Sequence, residues 1–113
     1  MDENRRAAPR FVVSLYAEQI EQKASPIHIR NLSATGFLVR GDVCAGQGGV
    51  LHASFRVHPS SGEMRVTTRG KVMHCRIAGP ESEFGIMIEG FGSEEEERAY
   101  RDYVLELEAK SGP

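Results

Sequence analysis

Three arginines, Arg5, Arg6 and Arg10, stand in "RRAAPR" (residues 5–10), immediately ahead of the first strand-like run, with Pro9 stiffening the approach. Arg6 and Arg10 are spaced R-x-x-x-R. A guanidinium is a planar fork that makes bidentate bonds to a phosphate or to the O6/N7 edge of guanine, and it can stack on a base. Two such forks on a short arm suit a guanine nucleotide, and a solvated basic arm is the plainer reading. A second stretch, "NLSATG" (31–36), interrupts a run of apolar and β-branched residues. Asn31 offers an amide oxygen as acceptor and an amide nitrogen as donor, and the Ser33 hydroxyl can act as either. Gly36 permits a backbone approach that a side chain would deny, and a turn exposing N–H groups beside it would suit an anion. An ordinary Asn/Ser turn with a glycine bulge accounts for the same residues. If the two stretches face each other, together they would grip a small, doubly charged ligand.

Other chemistry finds less support. Cys44 and Cys75 form no CxxC pair, and His28, His52 and His58 show no HExxH spacing. His74 and Cys75 are adjacent, and adjacent residues on a strand point to opposite faces, so they converge poorly on one ion. No nucleophile–base pair, metal cluster or pair of carboxylates in a cleft can be argued from spacing. Neither an enzyme, a metal site nor a cofactor is expected.

The chain has 113 residues, enough for one domain with a single modest core. Its net charge of −2 does not recommend a long nucleic acid such as DNA or RNA. The charge is unevenly placed. Residues 93–108 hold seven acidic and two basic side chains, so the remainder is net positive and electrostatically open to a small anion. No apolar run approaches the roughly 20 residues that cross a bilayer, and "MDENRRAAPR" lacks the apolar centre of a signal peptide. A cytoplasmic protein with reduced cysteines and no membrane insertion is expected.

The elements that must position these residues are mostly strands. "FVVSLYAE" (11–18) alternates, with Phe11, Val13, Leu15 and Ala17 on one face. "SPIHIRNLS" (25–33) places Ile27 and Ile29 inward, and "GFLVR" (36–40) resumes the pattern after the interruption. "VLHASFRV" (50–57) follows a glycine-dense connection. "MRVTTRGKVMHCRI" (64–77) is too long to be straight, so Gly70 is expected at a bulge. "FGIMIEGF" (84–91) supplies a further strand with Phe84, Ile86 and Ile88 inward. Short strands at this spacing predict a closed or nearly closed antiparallel barrel. The period then changes. Ser93 and Glu96 form a capping box, Glu94 to Glu97 complement a helix N-terminus, and Ala99, Tyr100, Tyr103, Val104 and Leu107 make an apolar stripe. The stripe is expected to dock on the barrel, giving an arm (1–10), a barrel (11–92), a helix (93–108) and a tail (109–113).

R-x-x-x-R just before the first strand, followed by [D/N]-x-S-x-x-G after the second, resembles the PilZ domain. The resemblance covers nearly the whole chain, including "GKVMH", "FGIMIEGF" and the C-terminal helix. It implies a mainly β fold, a six-stranded antiparallel barrel with a C-terminal α-helix, and binding of the bacterial second messenger cyclic di-GMP. By this resemblance Arg6 and Arg10 take phosphates and guanine edges, Asn31 and Ser33 contact a guanine, and Gly36 lets the strand pass close to the ligand. Asn31 stands where the family allows Asp or Asn, and it offers one acceptor oxygen in place of a carboxylate's two. Arg5, just ahead of the motif, goes in this family with an intercalated pair of ligand molecules. The function implied is a non-catalytic receptor, its arm ordered by ligand and its changed surface read by an unidentified partner protein. The alternative is a PilZ-like adaptor that binds protein without nucleotide. A single-strand nucleic-acid barrel would want aromatic platforms in a basic groove, whereas the aromatics here fall mostly on inward positions.

Overall fold

The computed structural model describes residues 9–43, 45–79 and 81–111, and the side chains of 22–25 and 78 lie outside that description. Arg5, Arg6, the rest of the arm to residue 8 and Cys44 also lie outside it. Six strands, β1 (Phe11–Gln19), β2 (Gln22–Leu32), β3 (Gly36–Arg40), β4 (Val50–Val57), β5 (Met64–Ala78) and β6 (Glu81–Phe91), precede one helix, α1 (Glu94–Ser111). They form a closed barrel in the order β1-β2-β3-β6-β5-β4, every pair antiparallel. This is the architecture that the alternating runs predict.

Closure leaves no open sheet edge to be covered. It rests on a short seam: Glu18 pairs with Ser54 and Gln19 with Ala53, extended by the Ile20 amide donating to the His52 carbonyl at 2.9 Å. Inward positions fill the barrel as the period of two requires, with Ile27, Ile29, Phe37, Val39, Phe55 and Val72 all essentially inaccessible. The bulge expected at Gly70 falls on the facing strand: between Arg69–Gly90 and Gly70–Ile88 the extra residue is Glu89 of β6, while β5 stays in regular register with β4. A Cβ on Gly70 would lie 2.4 Å from the Ile86 Cγ2, so close packing against β6 is what needs a residue without a side chain. β6 starts at Glu81, ahead of the expected Phe84, because the β5–β6 hairpin keeps pairing toward its turn through Ile77–Ser82 and Ala78–Glu81, whatever the polarity of those residues.

The helix begins as its sequence requires. The Ser93 hydroxyl accepts from the Glu96 amide at 3.2 Å, and four glutamates fill the first turn. The Glu96 carboxylate also accepts from the Thr67 backbone amide at 2.6 Å, which ties the helix start to β5. Ala99, Tyr100 and Val104 are buried against the barrel, where α1 packs on β4, β5 and β6. The helix continues past the expected end at Glu108 to Ser111, whose hydroxyl donates to the Leu107 carbonyl at 2.9 Å. Among the described residues no helix is long and apolar enough to cross a membrane.

Candidate functional site

Within residues 31–36, Asn31 and Leu32 end β2, Gly36 opens β3, and residues 33–35 make the hairpin turn between them, which is held firmly. The Ser33 amide donates to the Gly36 carbonyl at 2.8 Å. The Ser33 hydroxyl accepts from the Thr35 amide at 3.2 Å, the local side-chain-to-backbone bond that makes serine a turn residue. The Thr35 carbonyl accepts from the Ile88 amide of β6 at 2.9 Å. Ser33 is 4% exposed, so its hydroxyl is nearly withdrawn from solvent. Gly36 pairs with Met87, and a Cβ added to it would lie 2.2 Å from the Ile86 carbonyl oxygen. The close approach that demands glycine is therefore between β3 and the β6 backbone.

Arg10 comes to this turn from the other side. It stands exposed one residue before β1, and β1 runs beside β2 with Val12 opposite Asn31. That register carries the Arg10 guanidinium to Asn31, where Nη1 donates to Oδ1 at 3.1 Å. One bond occupies one of five guanidinium donors, and an amide oxygen has two lone pairs. The pair can thus hold its mutual bond while meeting a ligand.

Arg10, Ser33, Thr35 and Gly36 border one concavity of about 210 Å³, together with Met73 and His74 of β5 and Met87 of β6. Four of the six sequence-derived site residues thus come together: Arg10, Ser33 and Gly36 at the concavity itself, and Asn31 through its bond to Arg10. The other two, Arg5 and Arg6, lie outside the described residues.

His74 and Met73 were not foreseen at this site. Between β5 and β6, Val72 pairs with Ile86 and His74 with Gly85, so Met73 is an extra residue on β5. Such a bulge breaks the alternation and lets two successive side chains reach the same rim. The bulge lies before His74: His74 and Cys75 keep regular register opposite Gly85 and Phe84, so these two side chains still alternate. A Cβ on Gly85 would lie 2.2 Å from His74 Nε2, so Gly85 makes room for the imidazole to lie across β6. The available signal was Gly85 itself, a glycine inside an otherwise apolar strand. The other histidines are dispersed. His28 stacks on Tyr16 with centroids 4.5 Å apart, His52 bonds Glu21, and His58 lies near Glu63. Among the described residues no three His, Cys, Asp or Glu side chains gather as a metal site would need. Cys75 is free and exposed.

No family model and no curated protein sequence matches this chain. Among solved structures it superposes on the inhibitor of motility MotI/DgrA of Bacillus subtilis with a TM-score of 0.74 and 15% sequence identity. The match covers 94% of this chain and 52% of that one, so this chain spans about half the length of its neighbour. At that identity the likeness concerns the fold, a closed six-stranded PilZ-like barrel with one C-terminal helix.

Proposed function

We propose that this protein is a non-catalytic receptor for cyclic di-GMP that relays occupancy to a partner protein. The observation that carries the reading is the Arg10–Asn31 bond beside Ser33 and Gly36, which joins the two sequence motifs at one concavity. Arg10 offers a fork to a phosphate or to a guanine edge. Asn31 and Ser33 offer hydrogen bonds to a guanine, and the His74 imidazole offers a flat face beside them. Arg6, four residues before Arg10, supplies the second fork, and Arg5 favours a second, intercalated ligand molecule.

Size supports a role for the arm. At about 210 Å³ the concavity is smaller than the roughly 300–1,000 Å³ usual for small-molecule sites. A dinucleotide would therefore lie across an open face, covered from above by residues 1–10. Binding draws that arm onto the barrel, and the altered surface is what a partner reads, a local ordering with no rearrangement of the core. The ligand is bound and not hydrolysed.

Calorimetric titration with cyclic di-GMP, with GTP as control, tests the reading. Saturable binding of cyclic di-GMP alone, with slower tryptic cleavage after Arg5, Arg6 and Arg10, is the expected result. Two ligands per chain are expected, and fewer for Arg5→Leu. No binding at any ligand concentration, with the barrel intact, would leave the nucleotide-free adaptor in its place.

A further inference from the structure

Tyr100 reads in the sequence as one member of an apolar stripe, and for stripe packing a phenylalanine would serve as well. The structure gives its hydroxyl a target. Tyr100 is wholly inaccessible, and its O–H donates to the Ser33 carbonyl at 2.7 Å. Its ring meets Phe55 edge-on, with centroids 6.1 Å apart, and lies tilted against Phe91 at 5.4 Å. Phe55 in turn meets Phe37, the residue directly after Gly36, at 5.7 Å. The helix therefore grips both ends of the turn, its first carbonyl through the hydroxyl and its outgoing strand through the ring chain. Burial pushes the Tyr100 phenol well above its ordinary range, so the hydroxyl stays a neutral donor at any working pH. A second concavity, about 360 Å³, lies between the turn, β6 and α1, and it shares Thr35 and Met87 with the candidate site. The turn is a partition with the candidate site on one side and the helix on the other.

We propose that Tyr100 is a positioning residue for the ligand site, fixing the Ser33–Gly36 turn so that docking of α1 and occupancy of the site are linked. The affinity half of this inference rests on the receptor reading above, and the structural half does not. Linkage of this kind is reciprocal: a ligand held by the turn tightens α1 on the barrel, and whatever loosens α1 weakens the ligand. A partner that engages the helix could thus sense the site without touching it.

Tyr100→Phe keeps the ring and removes the donor, and Tyr103→Phe, half-buried on the same helix, is the control. In ligand-free protein, amide hydrogen exchange at Thr35 and Ile88 should accelerate about fivefold or more in Tyr100→Phe relative to amides of β4, because both amides bond within the turn's network. Uniform acceleration over the barrel would mark a merely structural role and overturn the proposal, as would unchanged exchange at the turn. With cyclic di-GMP, Tyr100→Phe should weaken binding about tenfold, the scale of one net hydrogen bond, and Tyr103→Phe should bind as wild type. Wild-type affinity in Tyr100→Phe would overturn the linkage. Failure of the wild type to bind would overturn the receptor reading instead, and the ligand-free exchange result would then decide the role of Tyr100 alone.

Discussion

Arg10 and Ser33 border the same concavity but are fixed there by different means. Ser33 is nearly inaccessible, and its turn is held by its own hydroxyl, by the β6 backbone and by the Tyr100 hydroxyl. Arg10 is exposed and meets the turn through one side-chain bond to Asn31. The turn is thus a preformed half, with its geometry set by the fold before any ligand arrives. The arginine is an adjustable half, free to trade a solvent-exposed bond for one to an anion. On the proposed reading, such a site would take its geometric specificity from the turn and its charge from Arg10. Substitutions in the two halves should therefore show in different measurements.

The largest effect is expected in the preformed half, on stability. In Gly36→Val the new Cβ would meet the Ile86 carbonyl oxygen, an obstacle made of backbone that cannot rotate aside. Overpacking of this kind costs about 1–3 kcal/mol and sometimes more, and it should appear as a lower urea midpoint at unchanged slope. A midpoint equal to wild type would show that β3 and β6 can separate freely and that the turn is not preformed. In the adjustable half, Arg10→Ala should leave the midpoint within about 0.5 kcal/mol of wild type, as exposed substitutions usually do. Its affinity for cyclic di-GMP should fall by about 1.5–3 kcal/mol, the worth of a charge-assisted bond. Arg6→Ala should behave likewise, and wild-type affinity in both variants would remove the arginine clamp.

The same division explains what was legible in the sequence. Alternation in "FVVSLYAE" and "VLHASFRV" predicts the strands because burial of one sheet face imposes a period of two. Ser93 with Glu96 announces the helix start, a local backbone requirement, whereas Gly70 marks the right place for a bulge but the extra residue is Glu89 on the facing strand. Arg10, Asn31, Ser33 and Gly36 are grouped in the sequence by the family resemblance that their motifs carry, since each motif alone has an ordinary structural reading. What stayed hidden depends on contacts between distant elements. The bulge at Met73 adds a residue without any compositional mark, so nothing in the sequence puts Met73 and His74 on one rim. The direction of the Tyr100 hydroxyl depends on how α1 docks, 67 residues along the chain from Ser33. Gly36 was read as making room for a ligand, and its nearest obligation proves to be the β6 backbone.

Ser33→Ala gives a smaller effect and tests whether the two halves are distinct. Its hydroxyl both accepts from the Thr35 amide and borders the concavity. Loss of a neutral hydroxyl bond costs about 0.5–1.5 kcal/mol. The loss should appear in the urea midpoint as well as in the calorimetric affinity, in contrast to Arg10→Ala. A Ser33→Ala protein weakened in binding alone would place this residue with the adjustable half.

The smallest effect on the site should come from Glu83, the polar centre at the far end of β3. Its carboxylate is 4% exposed and bridges two strands, accepting from Arg40 Nε on β3 and from Arg76 Nε on β5, each at 2.9 Å. The register makes this geometry unavoidable, because Arg40 and Arg76 both stand directly opposite Glu83. Hydrogen bonds from Arg40 and then Arg76 hold the carboxyl below its ordinary range, against the opposing effect of burial. A folded-state pKa below the unfolded one means that the contribution is complete above the unfolded glutamate value, near 4.5, and is lost as pH falls through the folded value. Urea midpoints of wild type and Glu83→Gln should therefore differ at pH 7 and converge progressively below about pH 4.5, as the wild-type carboxylate takes up its proton. A gap that stays constant down to pH 3 would assign the role of Glu83 to packing and not to charge. Affinity for cyclic di-GMP at pH 7 should be unchanged in the same variant, since β3 separates Arg40 from Gly36 by its full length. A loss of affinity there would show that the preformed half extends along all of β3 and is not confined to its turn.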